Sequence, residues 1–204
     1  MASSRIPAAT YRFQFHHGFR FIAAQALVPY LAALGVSDLY ASPLFRARRK
    51  SLHGYSVTNP LVINPERGSK MSFNALARAL KSQDMGLLLD IVPNHMALSH
   101  DNPWWLDVLE NGPASPFAVF FDVDWHPPNK LLEGRVLQPI LGAPYNEVLE
   151  NQEIRLGLDE AGFAVHYYDH KFPLDPKTYH VILTHGLNAC LLYTSDAADD
   201  EYNV

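Results

Sequence analysis

The run Gly86–Val92, GLLLDIV, constrains the fold most, because it is apolar throughout except for one carboxylate, Asp90. A continuous apolar run of strand length marks a strand covered on both faces, as helices cover a parallel sheet. The neighbouring periodicities agree. Thr10–Phe15 alternates Tyr11, Phe13 and Phe15 with polar partners, a strand signal. Phe19–Leu34 spaces Ile22, Ala26, Leu27, Tyr30, Leu31 and Leu34 as one helix face. Gly35 stops that helix, and Pro29 predicts a kink or a broken first turn. Val36–Ala41 reads as a second strand, followed by a long loop from Leu44 to Met71. Ser72 is the expected N-cap of a second helix carrying Phe73, Leu76, Ala77 and Leu80 on one face. Strand–helix–strand–helix–strand predicts two βα crossovers of an α/β fold, too few for a complete sheet.

From Pro93 to about His185 the regularity fades into prolines, paired aromatics and short apolar patches such as Val119–Val123. This stretch reads as a long excursion of short strands and helices inserted after the third strand. Composition excludes several function classes. Lys+Arg 16 against Asp+Glu 21 leaves a net charge of −5, without a basic footprint for nucleic acid. No apolar run approaches the ~20 residues of a membrane span, and no secretory signal pattern opens the chain. The single cysteine, Cys190, excludes an internal disulfide and is compatible with a reducing compartment.

The last fifteen residues differ in chemistry from the rest. Residues 190–204, CLLYTSDAADDEYNV, carry Asp196, Asp199, Asp200 and Glu201 with no base, and removing them moves the net charge from −5 to −1. The codons TGT CTC TTA TAC ACA TCT GAC GCT GCC GAC of a transposon-end sequencing adaptor spell Cys190 to Asp199. The segment therefore resembles a translated adaptor, is set aside from fold reasoning, and takes the cysteine with it.

Candidate chemistry collects where strands end, because ligands of parallel α/β folds meet the loops at the carboxyl ends of the strands. Asp90 is a carboxylate inside an apolar strand, costly unless paired, and Asn94 and His95 follow where the chain leaves the sheet. Taken alone, Asp90 can equally pair with an arginine to order the strand end, with His95 a satisfied interior histidine. At the preceding strand end, His53-Gly54-Tyr55 places a flexible glycine between two rings, and Tyr55 offers an aromatic face to a sugar or to packing. Trp104-Trp105 fits a small core better than a ligand. A metal site among the ten histidines is weakly supported, since His16-His17 and His166/His170 are dispersed and lack a ligating spacing.

As a set, these strings resemble one family. DIVPNH at Asp90–His95 resembles the first signature region of the alpha-amylase family of glycoside hydrolases and transglycosylases, and HGY at His53–Tyr55 with INP at Ile63–Pro65 resembles its loop after the second barrel strand. IPAATYRFQF, GFRF, LVPYLAALGVSDLYASPLFRAR, DNPWWLDVLENG, FFDVDW, LGAPYNEVLE and YYDHKFPLDPKTY narrow the likeness to the maltooligosyl trehalose synthase subgroup over residues 5 to 185.

The resemblance implies the N-terminal part of a (β/α)8 TIM barrel in residues 1–95, an inserted subdomain after strand 3 in 96–189, and the adaptor-derived tail in 190–204. It implies an isomerase that converts the reducing-end α-1,4 bond of a maltooligosaccharide to an α,α-1,1 bond by intramolecular transglucosylation. Such enzymes use two carboxyl groups, as retaining glycosidases do, and these lie after later strands, so the chain alone is expected to be inactive. Tyr55, His95 and His53 would bind substrate, Tyr55 by stacking and His95 through a 6-hydroxyl. Asp90 and Asn94 would support the site, Asp90 by holding an arginine from outside this chain. Asn94 matches a calcium ligand of many amylases, but no metal or cofactor is expected. The inserted aromatics would keep water from the cleft. Relatives often carry Asp where Ser56 and Asn59 stand here; Ser56 fits the subgroup, whereas Asn59 speaks against a charge-based role at its position. The implied partners are a glucan substrate and a trehalohydrolase of the same pathway, the implied compartment the cytoplasm, and nucleic acid and membrane are not expected. The alternatives are another hydrolase or glucanotransferase of the family, or a non-catalytic glucan-binding domain.

Overall fold

The computed structural model describes residues 6–186, which divide into two compact units between Trp104 and Trp105. The adaptor-like tail and Cys190 lie outside the described residues. In the first unit, β1 (Thr10–Phe13) leads to helix α1 (Phe21–Ala33) and then to β2 (Asp38–Ala41). Two short strands follow, β3 (Phe45–Ala47) and β4 (Val57–Ile63), then α2 (Lys70–Ser82) and β5 (Gly86–Leu89). The sheet order is β1-β2-β5, parallel throughout, with Arg12 opposite Tyr40 and Tyr40 opposite Leu88. The expected α/β alternation with two crossovers is therefore present. Side chains alternate across this sheet. Phe13, Leu39 and Ala41 point into the core with Phe21, Leu76 and Leu80, while Arg12 lies on the opposite face.

Helix α1 buries a different face from the one its periodicity suggested. Phe21, Ala24, Val28 and Leu31 are buried, whereas Ile22, Tyr30 and Leu34 are exposed. The helix is apolar nearly all round, so spacing alone does not select a face. Packing does: the Phe21 ring sits 5.1 Å from Phe15 and 5.5 Å from Phe73. Pro29 lies inside α1 without ending it, and the helix runs four residues further to Ala33. Gly35, at φ +85°, closes the helix as expected, its amide donating to the Ala32 carbonyl and that of Val36 to Leu31.

Three further expectations are corrected. Ser69, not Ser72, caps α2: the Ser69 Oγ accepts from the Ser72 amide at 3.2 Å. The two serines are three apart, the spacing of a cap and its partner, so the pattern shifted by one turn. The stretch Leu44–Met71 contains the antiparallel pair β3–β4 rather than a plain loop. Pro60 masked that strand; it sits in the irregularity between the Phe45–Ile63 and Arg46–Asn59 pairs, where a ladder donor is not needed. Finally, β5 is not covered on both faces. Leu88 and Leu89 are exposed, since β5 lies at the edge of the described sheet.

The second unit begins within α3 (Pro103–Asn111) and continues through 3-10 turns to α4 (Tyr145–Glu150). Trp105 is buried with its ring 5.0 Å from Phe121, a core role as expected. Strands β6 (Ile154–Asp159), β7 (Gly162–Tyr167) and β8 (His170–Pro173) then form an antiparallel meander. No described helix is long and apolar enough to cross a membrane.

Candidate functional site

Strand alternation builds the site. Arg12 and Gln14 share the face of β1 turned away from Phe13 and Phe15, and Asp90 continues the same face beyond the end of β5. There the Arg12 Nη1 donates to Asp90 Oδ2 at 3.1 Å, and the Tyr55 hydroxyl donates to the same oxygen at 2.5 Å. Arg12 Nη2 donates to the Tyr55 oxygen at 3.0 Å and to Gln14 Oε1 at 3.3 Å. The guanidinium also lies 4.6 Å from the centre of the Tyr40 ring, a cation–π contact. Asp90 thus has an arginine partner within the chain, Arg12.

The electrostatics follow from these bonds. Burial pushes the Asp90 carboxyl up, but hydrogen bonds from Tyr55, Arg12 and Tyr40 together outweigh it and hold the pKa below its usual 3.8. The hydrogen bond to Asp90, reinforced by burial, raises the Tyr55 phenol above its usual value, with Arg12 pulling the other way. Near neutral pH the cluster therefore holds a carboxylate, a protonated phenol and a guanidinium.

The loop that carries Tyr55 is pinned from β1. Gln14 Nε2 donates to the carbonyls of Leu52 and His53, both at 2.9 Å. Gly54, at φ +84°, turns the chain between the two rings, and the His53 and Tyr55 rings stack at 6.0 Å and 16°. The turn is glycine's for a second reason: a Cβ on Gly54 would lie 2.0 Å from Arg67 Nη2. Arg67 is fully buried, and its three guanidinium nitrogens have no hydrogen-bond partner among the described residues. Burial pushes its pKa down to about 10, with the Glu66 charge opposing.

The structure therefore brings Tyr55, His53 and Asp90 together at the strand ends. It leaves Asn94 and His95 exposed and paired with each other at 3.3 Å. Asn59 accepts from the Leu61 amide, a local turn contact. Among the described residues, no group of three or more His, Cys, Asp or Glu is placed to hold a metal ion. Arg12, Gln14 and Tyr40 are members of the site that sequence reasoning missed. The signal for Arg12 and Gln14 was the polar half of the TYRFQF alternation, read only for its aromatic half, and Tyr40 shares their face through its pairing opposite Arg12.

The chain is similar in sequence and backbone to known proteins. Residues 25–147 match the family model of the alpha amylase catalytic domain. A Mycobacterium tuberculosis protein named as a maltooligosyl trehalose synthase is 43% identical over 142 residues, 66% of this chain and 18% of its own length. An intracellular maltogenic amylase of Bacillus subtilis is 34% identical over 98 residues, 48% of this chain and 16% of that protein. The solved structure of maltooligosyltrehalose synthase from Arthrobacter ramosus aligns with a TM-score of 0.75 at 37% identity, over 84% of this chain and 22% of its own. The chain spans about a fifth of the length of these synthases. With a parallel α/β sheet of TIM-barrel type and a match to the catalytic-domain model over more than half its length, the chain belongs to the alpha-amylase family.

Proposed function

We propose that the chain is the N-terminal part of an enzyme that forms maltooligosyl trehalose. Such an enzyme isomerises the reducing-end α-1,4 bond of a maltooligosaccharide to an α,α-1,1 bond by intramolecular transglucosylation. The observation that carries this reading is the likeness to the Arthrobacter ramosus synthase in both sequence and backbone over 84% of the chain. The fold of the proposal is an open portion of a (β/α)8 barrel in residues 1–95, a subdomain inserted after its third strand in 96–189, and an adaptor-derived tail in 190–204. The bare edge of β5 supports it, since a barrel closes by pairing every edge.

In this reading Tyr55 stacks beneath a glucose ring, with His53 beside it, and His95 meets a sugar hydroxyl. Asp90 and Asn94 support that arrangement. The stacked His53 and Tyr55 rings, and the phenol fixed by Asp90, are consistent with a rigid aromatic platform. The nucleophile and the general acid/base are carboxylates contributed by later barrel strands, so this chain binds glucan without transforming it. The product of the whole enzyme is the substrate of a trehalohydrolase, in the cytoplasm.

Incubating the purified chain with maltopentaose and following reducing ends tests the division of labour. The chain alone leaves reducing ends unchanged, and the product of the same gene read past codon 189 removes them without net glucose release. Turnover by the 204-residue chain itself would overturn the assignment of the catalytic carboxylates to later strands.

A further inference from the structure

We infer that Arg12 and Gln14 form a positioning pair that fixes the orientation of the Tyr55 ring, so that strand β1 determines how the aromatic platform meets its ligand. The inference rests on the sugar-binding reading for the ligand and on geometry alone for the positioning.

Tyr55 is reached by three restraints, and two of them start from β1 and the residue that follows it. Its oxygen accepts from Arg12 Nη2 at 3.0 Å while its proton goes to Asp90. A phenol held as both donor and acceptor has one hydroxyl orientation and a narrow range of ring tilts, because each bond weakens steeply off axis. Its main chain is held by Gln14, whose single amide group takes the two carbonyls immediately before Gly54, those of Leu52 and His53. These two side chains are themselves joined, through Arg12 Nη2 and Gln14 Oε1. Arg12 further spans the gap between strands, from Asp90 beyond β5 to the Tyr40 ring on β2. Lysine cannot replace this geometry. It supplies one compact charge, whereas Asp90, Tyr55 and Gln14 are met here by two separate nitrogens of a planar fork.

A backbone prop alone would tolerate methionine at position 12, since the side chain is exposed rather than packed in the core. The test therefore reads Tyr55 directly. The chain is prepared with its tyrosines carbon-13 labelled at Cζ, and Tyr55→Phe identifies the Tyr55 signal among the ten. In the wild type that signal inflects in acid as Asp90 takes up its proton. In Arg12→Met the signal shifts at neutral pH and its inflection moves to higher pH, while the signal of Tyr30, on α1 of the same unit and identified by Tyr30→Phe, stays in place and reports an intact fold. Arg12→Lys restores the inflection in part and the neutral-pH shift hardly at all. Gln14→Leu leaves the arginine in place and still displaces the Tyr55 signal. A Tyr55 signal with unchanged position and inflection in Arg12→Met, or unmoved in Gln14→Leu, overturns the inference.

Titration with maltopentaose supplies the second arm. Loss of Arg12 weakens binding about tenfold, the scale of one lost charge-assisted contact. A wild-type chain that binds no maltopentaose overturns the sugar-binding reading, while the Tyr55 signals still decide the positioning. Unchanged affinity in Arg12→Met overturns the link between positioning and ligand.

Discussion

Arg12 and Arg67 are guanidinium groups of the same compact unit, on either side of the loop that carries Tyr55, and their surroundings are opposite. Arg12 is about a third exposed, yet it touches Asp90, Tyr55, Gln14 and the Tyr40 ring. Arg67 is fully buried and finds no hydrogen-bond partner among the described residues. The comparison separates two ways an arginine shapes a loop. Arg12 holds it by directed bonds, each with an acceptor at fixed distance. Arg67 supports it by volume, filling the space under Gly54 at the cost of a guanidinium removed from water without a hydrogen bond, offset only by the Glu66 charge.

Each side of the contrast can be broken. Gly54→Ala carries the largest effect, a loss of roughly 3 kcal/mol in urea unfolding, from the left-handed backbone and the collision with Arg67 together. The same substitution in an Arg67→Met background loses less, because methionine can yield where the guanidinium cannot. Equal losses in the two backgrounds would show that Arg67 is not what fills the space. Asp90→Asn comes next, at about 2 kcal/mol at neutral pH, below the usual figure for a broken buried pair because Arg12 is partly hydrated. The sign with pH follows from the direction of the Asp90 shift. Its folded pKa is below the usual 3.8, so its contribution is complete above that value and is lost as pH falls through the folded value. Wild type and Asp90→Asn therefore converge in stability in strong acid, and a gap that persists there contradicts the assignment. Arg67→Met has the smallest effect and the opposite direction. Replacing a buried charge that lacks hydrogen bonds by an apolar side chain of similar length raises the thermal midpoint, by about 1 kcal/mol of stability. A lowered midpoint would show that the guanidinium has compensation in solution.

The two arginines also mark what the sequence made legible. Asp90 stood out as a charge within an apolar strand, and Tyr55 as a ring beside a glycine; both reach the site. Arg12 was just as accessible in principle, since strand alternation places it opposite Phe13, and only its partners depended on the fold. Arg67 was not accessible at all. It sits in the polar turn Asn64-Pro65-Glu66-Arg67-Gly68, where charge ordinarily means solvent, and its burial comes from the packing of a loop residue far from it in sequence. The same limit governs the fold. Alternating strands and helices were evident because each follows local periodicity. The buried face of α1 was not, because a helix apolar on all sides leaves the choice to Phe15 and Phe73. The burial of β5 was misjudged for a related reason: an apolar run shows that a strand suits a covered position, while the cover itself is supplied by neighbours.

The exposed β5 edge has a practical consequence for work with the chain in solution. Its outward amides and carbonyls, next to exposed Leu88 and Leu89, offer a second copy a ready template for strand addition. Protein concentration therefore becomes an experimental variable in every measurement proposed above, with a ceiling above which molecules bind each other. A lysine in place of Leu88 would raise that ceiling while leaving the helix-packed side of the sheet untouched.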